Sequence, residues 1–230
     1  SVGNWGGGGF QVIVVLGYYG FGNLGDEAIL AVLCQDLVEL GFDLQNILVL
    51  SGDPKSTAEE HGVRAISRYN FREIWRALSK ARCLICGGGS LLQDVTSKRS
   101  LAYYLGLVEL AFLRGVPVVM YGQGLGPVSW RVYQKWVRRA FLGSVDFTVR
   151  DEGSARFLLT QGIPGALDRI SADPVFQWAD LPREYGPGSP RETILLNLRP
   201  YPAWEGHRSL WLQFIAQRER QGHVIVFIPL

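Results

Sequence analysis

Between Gln11 and Ala172, short β-type apolar runs alternate with longer helical patterns, and no other feature of the sequence constrains the fold as much. The runs are Gln11–Leu16, Asn46–Leu50, Cys83–Cys86, Val116–Met120, Asp146–Val149 and Ile170–Ala172. Each is β-branched or continuously apolar, as strands buried on both faces of a parallel sheet must be. Helical patterns lie between them at Asp26–Leu40, Phe71–Lys80, Arg99–Arg114, Trp130–Leu142 and Glu152–Gln161. Gly41, Gly115, Gly143 and Gly162 close four of these in the manner of C-cap glycines. The alternation predicts βαβ units with right-handed crossovers and an α/β fold built on a doubly wound parallel sheet.

A Pro/Gly-rich stretch, Leu181–Pro190, interrupts the pattern, and a fresh βαβ start follows. Arg191–Leu198 reads as a fully buried strand, His207–Gln221 as a helix and His223–Leu230 as another strand. The expected organisation is a lead-in over residues 1–9 (flexible, or an artificial extension), an α/β domain over 10–180, a linker over 181–190 and the start of a second α/β domain over 191–230. The last is expected to be truncated, because three elements cannot cover both faces of their own sheet. A length of 230 residues suits one large domain and part of another.

The net charge of +2 supplies no field for a nucleic-acid partner. Three cysteines form no disulfide framework, and Cys83 and Cys86, three apart on one strand, face opposite sides of the sheet. Buried free thiols in a reducing, cytoplasmic setting are expected. Ser1–Gly9 lacks the basic and apolar regions of a signal peptide, and the best membrane candidate, Leu101–Leu113, contains Glu109. A peripheral visit to a membrane surface stays open. His61 and His223 flank apolar stretches and read as surface or boundary residues, and His207 falls in a helix's first turn. No Cys/His spacing suggests a metal, and the absence of G-x-S-x-G argues against an α/β serine hydrolase.

Ligands of open α/β sheets bind beyond the carboxyl ends of the strands, so the segments after each run are the candidates for chemistry. Gly20-Phe-Gly22-Asn-Leu-Gly25 matches the dinucleotide fingerprint G-x-G-x-x-G. It starts three residues late, and Asp26 and Glu27 put two carboxylates where a pyrophosphate would sit. Asp26 either complements the helix dipole or stands in the crevice able to accept a proton. Gly87-Gly88-Gly89-Ser90 either cradles an anion with amide donors or makes a tight turn without a ligand. Gln93 and Asp94 either bind sugar hydroxyls or cap the next helix. Asn23, Gln123 and Gly124 fall in the same set of segments and are further substrate-binding candidates. Arg150 and Arg199 each end an apolar run, one in each predicted domain, and offer planar forks for carboxylate or phosphate; pairing with Asp151 or Asp173 is the alternative.

Taken in order, Gly17-Tyr-Tyr-Gly-Phe-Gly-Asn-Leu-Gly-Asp-Glu-Ala28, Gly87-Gly-Gly-Ser-Leu-Leu-Gln-Asp94, Tyr121-Gly-Gln-Gly-Leu-Gly-Pro127, Val149-Arg-Asp-Glu-Gly-Ser154 and Ala172-Asp-Pro-Val175 resemble the polysaccharide pyruvyltransferase family, nearest its CsaB-like branch. The resemblance implies two Rossmann-like domains facing across a cleft, as in two-domain glycosyltransferases, with the first on the acceptor side. It implies phosphoenolpyruvate as donor, a lipid-linked or polymeric cell-wall sugar, often N-acetylmannosamine, as acceptor, a pyruvate ketal and phosphate as products, and no cofactor. It also permits peripheral contact with the inner membrane face. On this resemblance Asp26 and Arg150 are the catalytic candidates. Asn23, Gly88, Gly89, Ser90, Gln93, Asp94, Gln123, Gly124 and Arg199 are the substrate-binding ones. The family's later Arg-Leu-His motif lies beyond Leu230, so this stretch is expected to be inactive alone. A nucleotide-sugar glycosyltransferase and a non-catalytic glycan-binding module are the rival readings; a nicotinamide-dependent reductase ranks below both.

Overall fold

The computed structural model describes residues 12–94, 98–178, 193–196 and 204–227, and the expected lead-in, the linker and Arg199 lie outside them. The chain divides into two compact units, Ser1–Ala179 and Asp180–Leu230.

In the first unit the order along the chain is β1 (Val12–Tyr19), α1 (Leu24–Glu39), β2 (Ile47–Ser51), α2 (Pro54–His61), β3 (Arg64–Ser67), α3 (Phe71–Leu78), β4 (Ala81–Cys86), β5 (Gly89–Leu92), α4 (Lys98–Leu113), β6 (Val118–Leu125), α5 (Arg131–Gly143), β7 (Asp146–Val149) and α6 (Glu152–Thr160). Every pairing in the sheet is parallel. β5 continues the lane of β4 beside β6: Cys86 pairs with Met120 and Gly89 with Gln123, three residues on in each strand. Lane by lane the sheet therefore runs β3, β2, β1, β4 with β5, β6, β7, which is the doubly wound order expected.

Alternation along β1 sends Val14 and Leu16 into the core cluster that holds Leu84, Leu105 and Phe141, and Ile13 and Val15 into the one that holds Leu30, Leu33 and Ile85. Both faces are thus covered, which is why the strands read as unbroken apolar runs. Cys86 packs in the first cluster and Cys83 against the second, so the two thiols do face apart. All three cysteines are free; burial raises Cys34 and Cys83 to about 11 and Cys86 to about 12, so they stay protonated at neutral pH.

Several sequence expectations need correction. Ile170–Ala172 forms no strand: one bridge joins Val149 to Ile170, the chain there is exposed, and Pro174 starts a 3-10 turn. Gly143 belongs to α5, whose cap is Ser144, whereas Gly41, Gly115 and Gly162 do take left-handed φ values of 87°, 66° and 74°. α2 and β3 leave no apolar pattern in the sequence, because α2 is polar along most of its length and β3 is a four-residue edge strand. The end signals of α2 were present all the same: Asp53 caps it, Pro54 opens it and Gly62 closes it at φ 66°. Finally, β6 runs to Leu125 and β5 occupies Gly89–Leu92, so glycine motifs expected to be loops are strand.

In the second unit β8 (Thr193–Leu196) and β9 (Val224–Phe227) pair in parallel across α7 (Trp204–Arg220). This is the βαβ start expected, but only Leu196 of β8 is buried, not the whole strand. Among the described residues no helix is long and apolar enough to cross a membrane.

Candidate functional site

The strand order reverses between β1 and β4, so the crevice of the sheet lies beyond Gly17 on one side and Gly87 on the other. β1 delivers a loop in which Gly20 and Gly22 take φ values of 76° and 68°, conformations suited to glycine. Asn23 is the N-cap of α1, its side-chain oxygen accepting from the Gly25 amide at 3.1 Å, so that oxygen is already engaged.

Glu27 turns back under the loop. Its Oε1 accepts from the Gly20 amide at 2.8 Å, and its Oε2 lies 3.2 Å from His61 Nε2. The Gly20 amide, part of the supposed dinucleotide fingerprint, is therefore taken by a carboxylate of the protein itself. Of the two readings of His61 the boundary one holds: the residue is half-buried, with its side chain 6% exposed. Burial pushes the Glu27 carboxyl up, but donors at His61, Gly20 and Phe21 and the His61 charge outweigh it and hold the acid below its ordinary value of 4.5. A lowered folded-state value means that Glu27 adds stability above its unfolded value and loses it as pH falls through the folded one. Glu27→Gln should accordingly lower the urea midpoint at pH 7 and flatten its fall between about pH 5 and about pH 3. Parallel wild-type and variant curves across that range would show the pair contributes nothing.

The glycines after β4 are close-packed. A methyl group on Gly87 would overlap the Tyr19 phenol, and one on Gly88 would stand 3.1 Å from the Gly122 carbonyl and 3.4 Å from Pro174. One on Gly89, where φ is 100°, would stand 3.0 Å from Asp26 Oδ1. All three are buried, and only Ser90 is exposed. The tight strand-to-helix turn of one sequence reading does not form: Gly89 and Ser90 open β5, which continues the lane of β4. Gln123, fully buried in β6, holds the junction of β4 and β5, donating from Nε2 to the Cys86 and Gly87 carbonyls at 2.9 and 2.5 Å.

Arg150 follows β7 and gathers the outer side of the crevice. Its guanidinium donates to Ser90 Oγ at 2.7 Å and to Asp173 Oδ2 at 3.1 Å, and lies 3.6 Å from Asp151 Oδ2. It rests on Gly124, whose Cβ position would be 2.5 Å from Arg150 Nε. Both partners that the sequence offered as alternatives are engaged. Asp26, half-buried in the first turn of α1, stands beside the lane that carries Ser90. Tyr19 adds a phenol that burial, and then the Asp26 charge, keeps protonated far above its usual range.

The structure thus brings together Asp26, Gly89, Ser90, Gly124 and Arg150, with Gln123 behind them. Gln93 packs against Gly126, and Asp94 accepts from the Ser129 amide at 2.6 Å, stapling the segment before α5. These two lie one strand length along β5. Sequence reasoning missed Asp173 as a site residue, though Arg150 had it as a possible partner, and missed the Glu27–His61 pair because thirty-four residues separate them.

The family model described as "Polysaccharide pyruvyl transferase" matches residues 23–230. No curated protein matches the chain. Among solved structures, "S. aureus MnaA-UDP co-structure" is similar with a TM-score of 0.56 and 12% identity, covering 96% of this chain and 62% of that one. The chain therefore spans less than two thirds of that neighbour's length, and at this identity the likeness shows a shared Rossmann-like fold alone.

Proposed function

This chain belongs to the polysaccharide pyruvyl transferase family, and we propose from that premise that its first unit holds the sugar acceptor of a phosphoenolpyruvate-dependent, ketal-forming transfer. The observation that carries the reading is the charge of the crevice. Arg150 is flanked by Asp173 and Asp151, and Asp26 stands nearby, so among the described residues carboxylates outnumber cations on this face. Such a surface suits neutral hydroxyl groups, which carboxylates orient as acceptors, and by itself disfavours a doubly anionic donor. Arg150 is the cationic contact proposed for phosphoenolpyruvate in this unit.

In the reaction, two acceptor oxygens form bonds to C2 of phosphoenolpyruvate, the C2–O bond to phosphorus breaks, and the phosphate leaves with its electron pair. One proton adds to C3, converting the methylene to a methyl group. The hydroxyls surrender two protons, which balance the proton at C3 and the one carried away with phosphate. Asp26 takes a hydroxyl proton or orients that hydroxyl, and Tyr19, neutral beside it, cannot compete as a base. Arg150, tied to Ser90 and Asp173, holds the donor's anionic end at the rim.

The acceptor is proposed to be a lipid-linked or polymeric cell-wall sugar. The Gly20 amide, already filled by Glu27, speaks against a dinucleotide at the G-x-G-x-x-G segment and so against a nicotinamide-dependent reductase; the rival reading as a nucleotide-sugar glycosyltransferase is separated by assay. Phosphate release from phosphoenolpyruvate by the full-length protein, measured over a panel of lipid-linked disaccharides, tests the proposal. Release that depends on the acceptor supports it. Turnover with nucleotide sugars, and none with phosphoenolpyruvate, overturns it.

A further inference from the structure

We infer that Glu27, Glu60 and His61 form a binding site for a divalent transition-metal ion, which ties α1 to α2 and fixes the glycine loop that precedes Asp26. The site takes no part in the transfer reaction proposed above. Thirty-four residues separate Glu27 from His61, so no spacing in the sequence signals the set.

One ring nitrogen of His61 and one oxygen from each carboxylate all lie within 4.8 Å of one another. The two inner members are closer, with Glu27 Oε2 at 3.2 Å from His61 Nε2. Two ligands held about 2.0–2.1 Å from a tetrahedral zinc ion stand about 3.3 Å from each other, so this pair already spans one edge of such a site. Glu60 is exposed, and a change of rotamer closes the third side. Water takes the fourth position. The helices set this geometry. Glu60 and His61 follow Thr57 by three and four residues and so share a face of α2, which Thr57 anchors through a 2.7 Å hydroxyl contact with Ser51 of β2. Glu27 is held from the other side: its Oε1 accepts from the Gly20 amide at 2.8 Å, and its Oε2 is turned to His61. A backbone donor on the second oxygen is the usual way of orienting a ligating carboxylate.

Charge points the same way. Among the described residues no lysine or arginine forms an ion pair with Glu27 or Glu60. Two ionised carboxylates against one imidazole leave net negative charge even when the ring carries two protons. That charge sits where the Glu27 and His61 side chains are only 11% and 6% exposed, so water screens it poorly. A hydrogen bond from His61 serves Glu27 alone, whereas a dication serves all three groups at once. An imidazole with two carboxylates suits zinc and its first-row neighbours; magnesium and calcium favour shells made of oxygen only. Because Glu27 also holds the Gly20 amide and directly follows Asp26, an ion at this place stiffens the loop and the first turn of α1 together.

The test is calorimetry and thermal shift on the full-length protein, first stripped with a chelator, with zinc, magnesium and calcium chlorides as probes. Zinc should bind and raise Tm by about 5 °C or more at about a hundredfold excess over its Kd, and magnesium and calcium should do neither. Glu60→Gln changes an exposed ligand and should leave the metal-free Tm within about 1 °C of wild type while weakening zinc at least about 10-fold. His61→Ala should abolish the zinc shift; should it not fold, Glu60→Gln decides the matter. In hydrogen–deuterium exchange, zinc should protect residues 18–28 of the wild type and not of Glu60→Gln. A protein whose Tm is indifferent to zinc, zinc affinity undiminished in Glu60→Gln, protection confined to other segments, or magnesium binding as tightly as zinc would overturn the inference. None of these measurements needs turnover, so their failure and the failure of pyruvyl transfer are separate results.

Discussion

Asp26→Asn should lower acceptor-dependent phosphate release by about 100-fold or more, the usual contribution of a positioned general base, with phosphoenolpyruvate affinity within about twofold of wild type. The asymmetry follows from position. Asp26 sits in the first turn of α1 with Oδ1 against the Gly89 backbone, whereas Arg150, the proposed cationic contact of the donor, reaches the lane through Ser90. Asn keeps the size and a helix-compatible N-terminal residue, so a fold-level explanation would require a drop in Tm, and none is expected. Turnover at the wild-type rate would remove Asp26 from the mechanism. A matched loss of donor affinity would instead mean that it shapes the anion's surroundings.

Arg150→Ala is expected to do the reverse. It deletes a guanidinium that touches Ser90 and Asp173 and leaves Asp173 and Asp151 facing the crevice uncompensated. Losing a charge-assisted contact costs about 1.5–3 kcal/mol, so calorimetric affinity for phosphoenolpyruvate should fall about 10- to 100-fold. The two stranded carboxylates add repulsion against a dianion, so the salt dependence of the residual binding should reverse, with added salt now helping. Unchanged affinity would show that Arg150 serves only to tie β7 to β5 and to the segment at Asp173. Asp173→Asn offers the complementary result: it frees Arg150 from its nearest carboxylate and should strengthen donor binding while weakening the acceptor.

The parallel sheet was legible because its strands are covered on both faces, which writes them as uninterrupted apolar runs such as Val12–Leu16 and Leu84–Cys86. β3 and α2 were not legible by that signal: an edge strand of four residues and a polar helix bury too little to leave a period. The arrangement of the candidate site was half legible. Asp26, Ser90 and Arg150 could be picked out because they follow strand ends, where α/β sheets bind ligands. Their neighbours' roles could not, because a glycine that makes room for a ligand and one that makes room for a protein side chain read alike. Gly87 yields to Tyr19, Gly122 to Pro174 and Gly124 to Arg150. Arg68, buried among aromatic rings, escaped notice for a related reason. Nothing in Ser67-Arg68-Tyr69 distinguishes a buried cation from a surface one, and its cage is assembled from residues as far away in sequence as Tyr103 and Tyr104.

Hydrogen–deuterium exchange on the full-length protein, with and without a lipid-linked acceptor disaccharide, tests most directly the claim that the acceptor sits at the reversal point of this sheet. Protection rising together over residues 17–26, 89–94 and 149–151, and little changed at α5, is the expected pattern. Acceptor binding that leaves those three segments as exchangeable as before, and protects others, would contradict it.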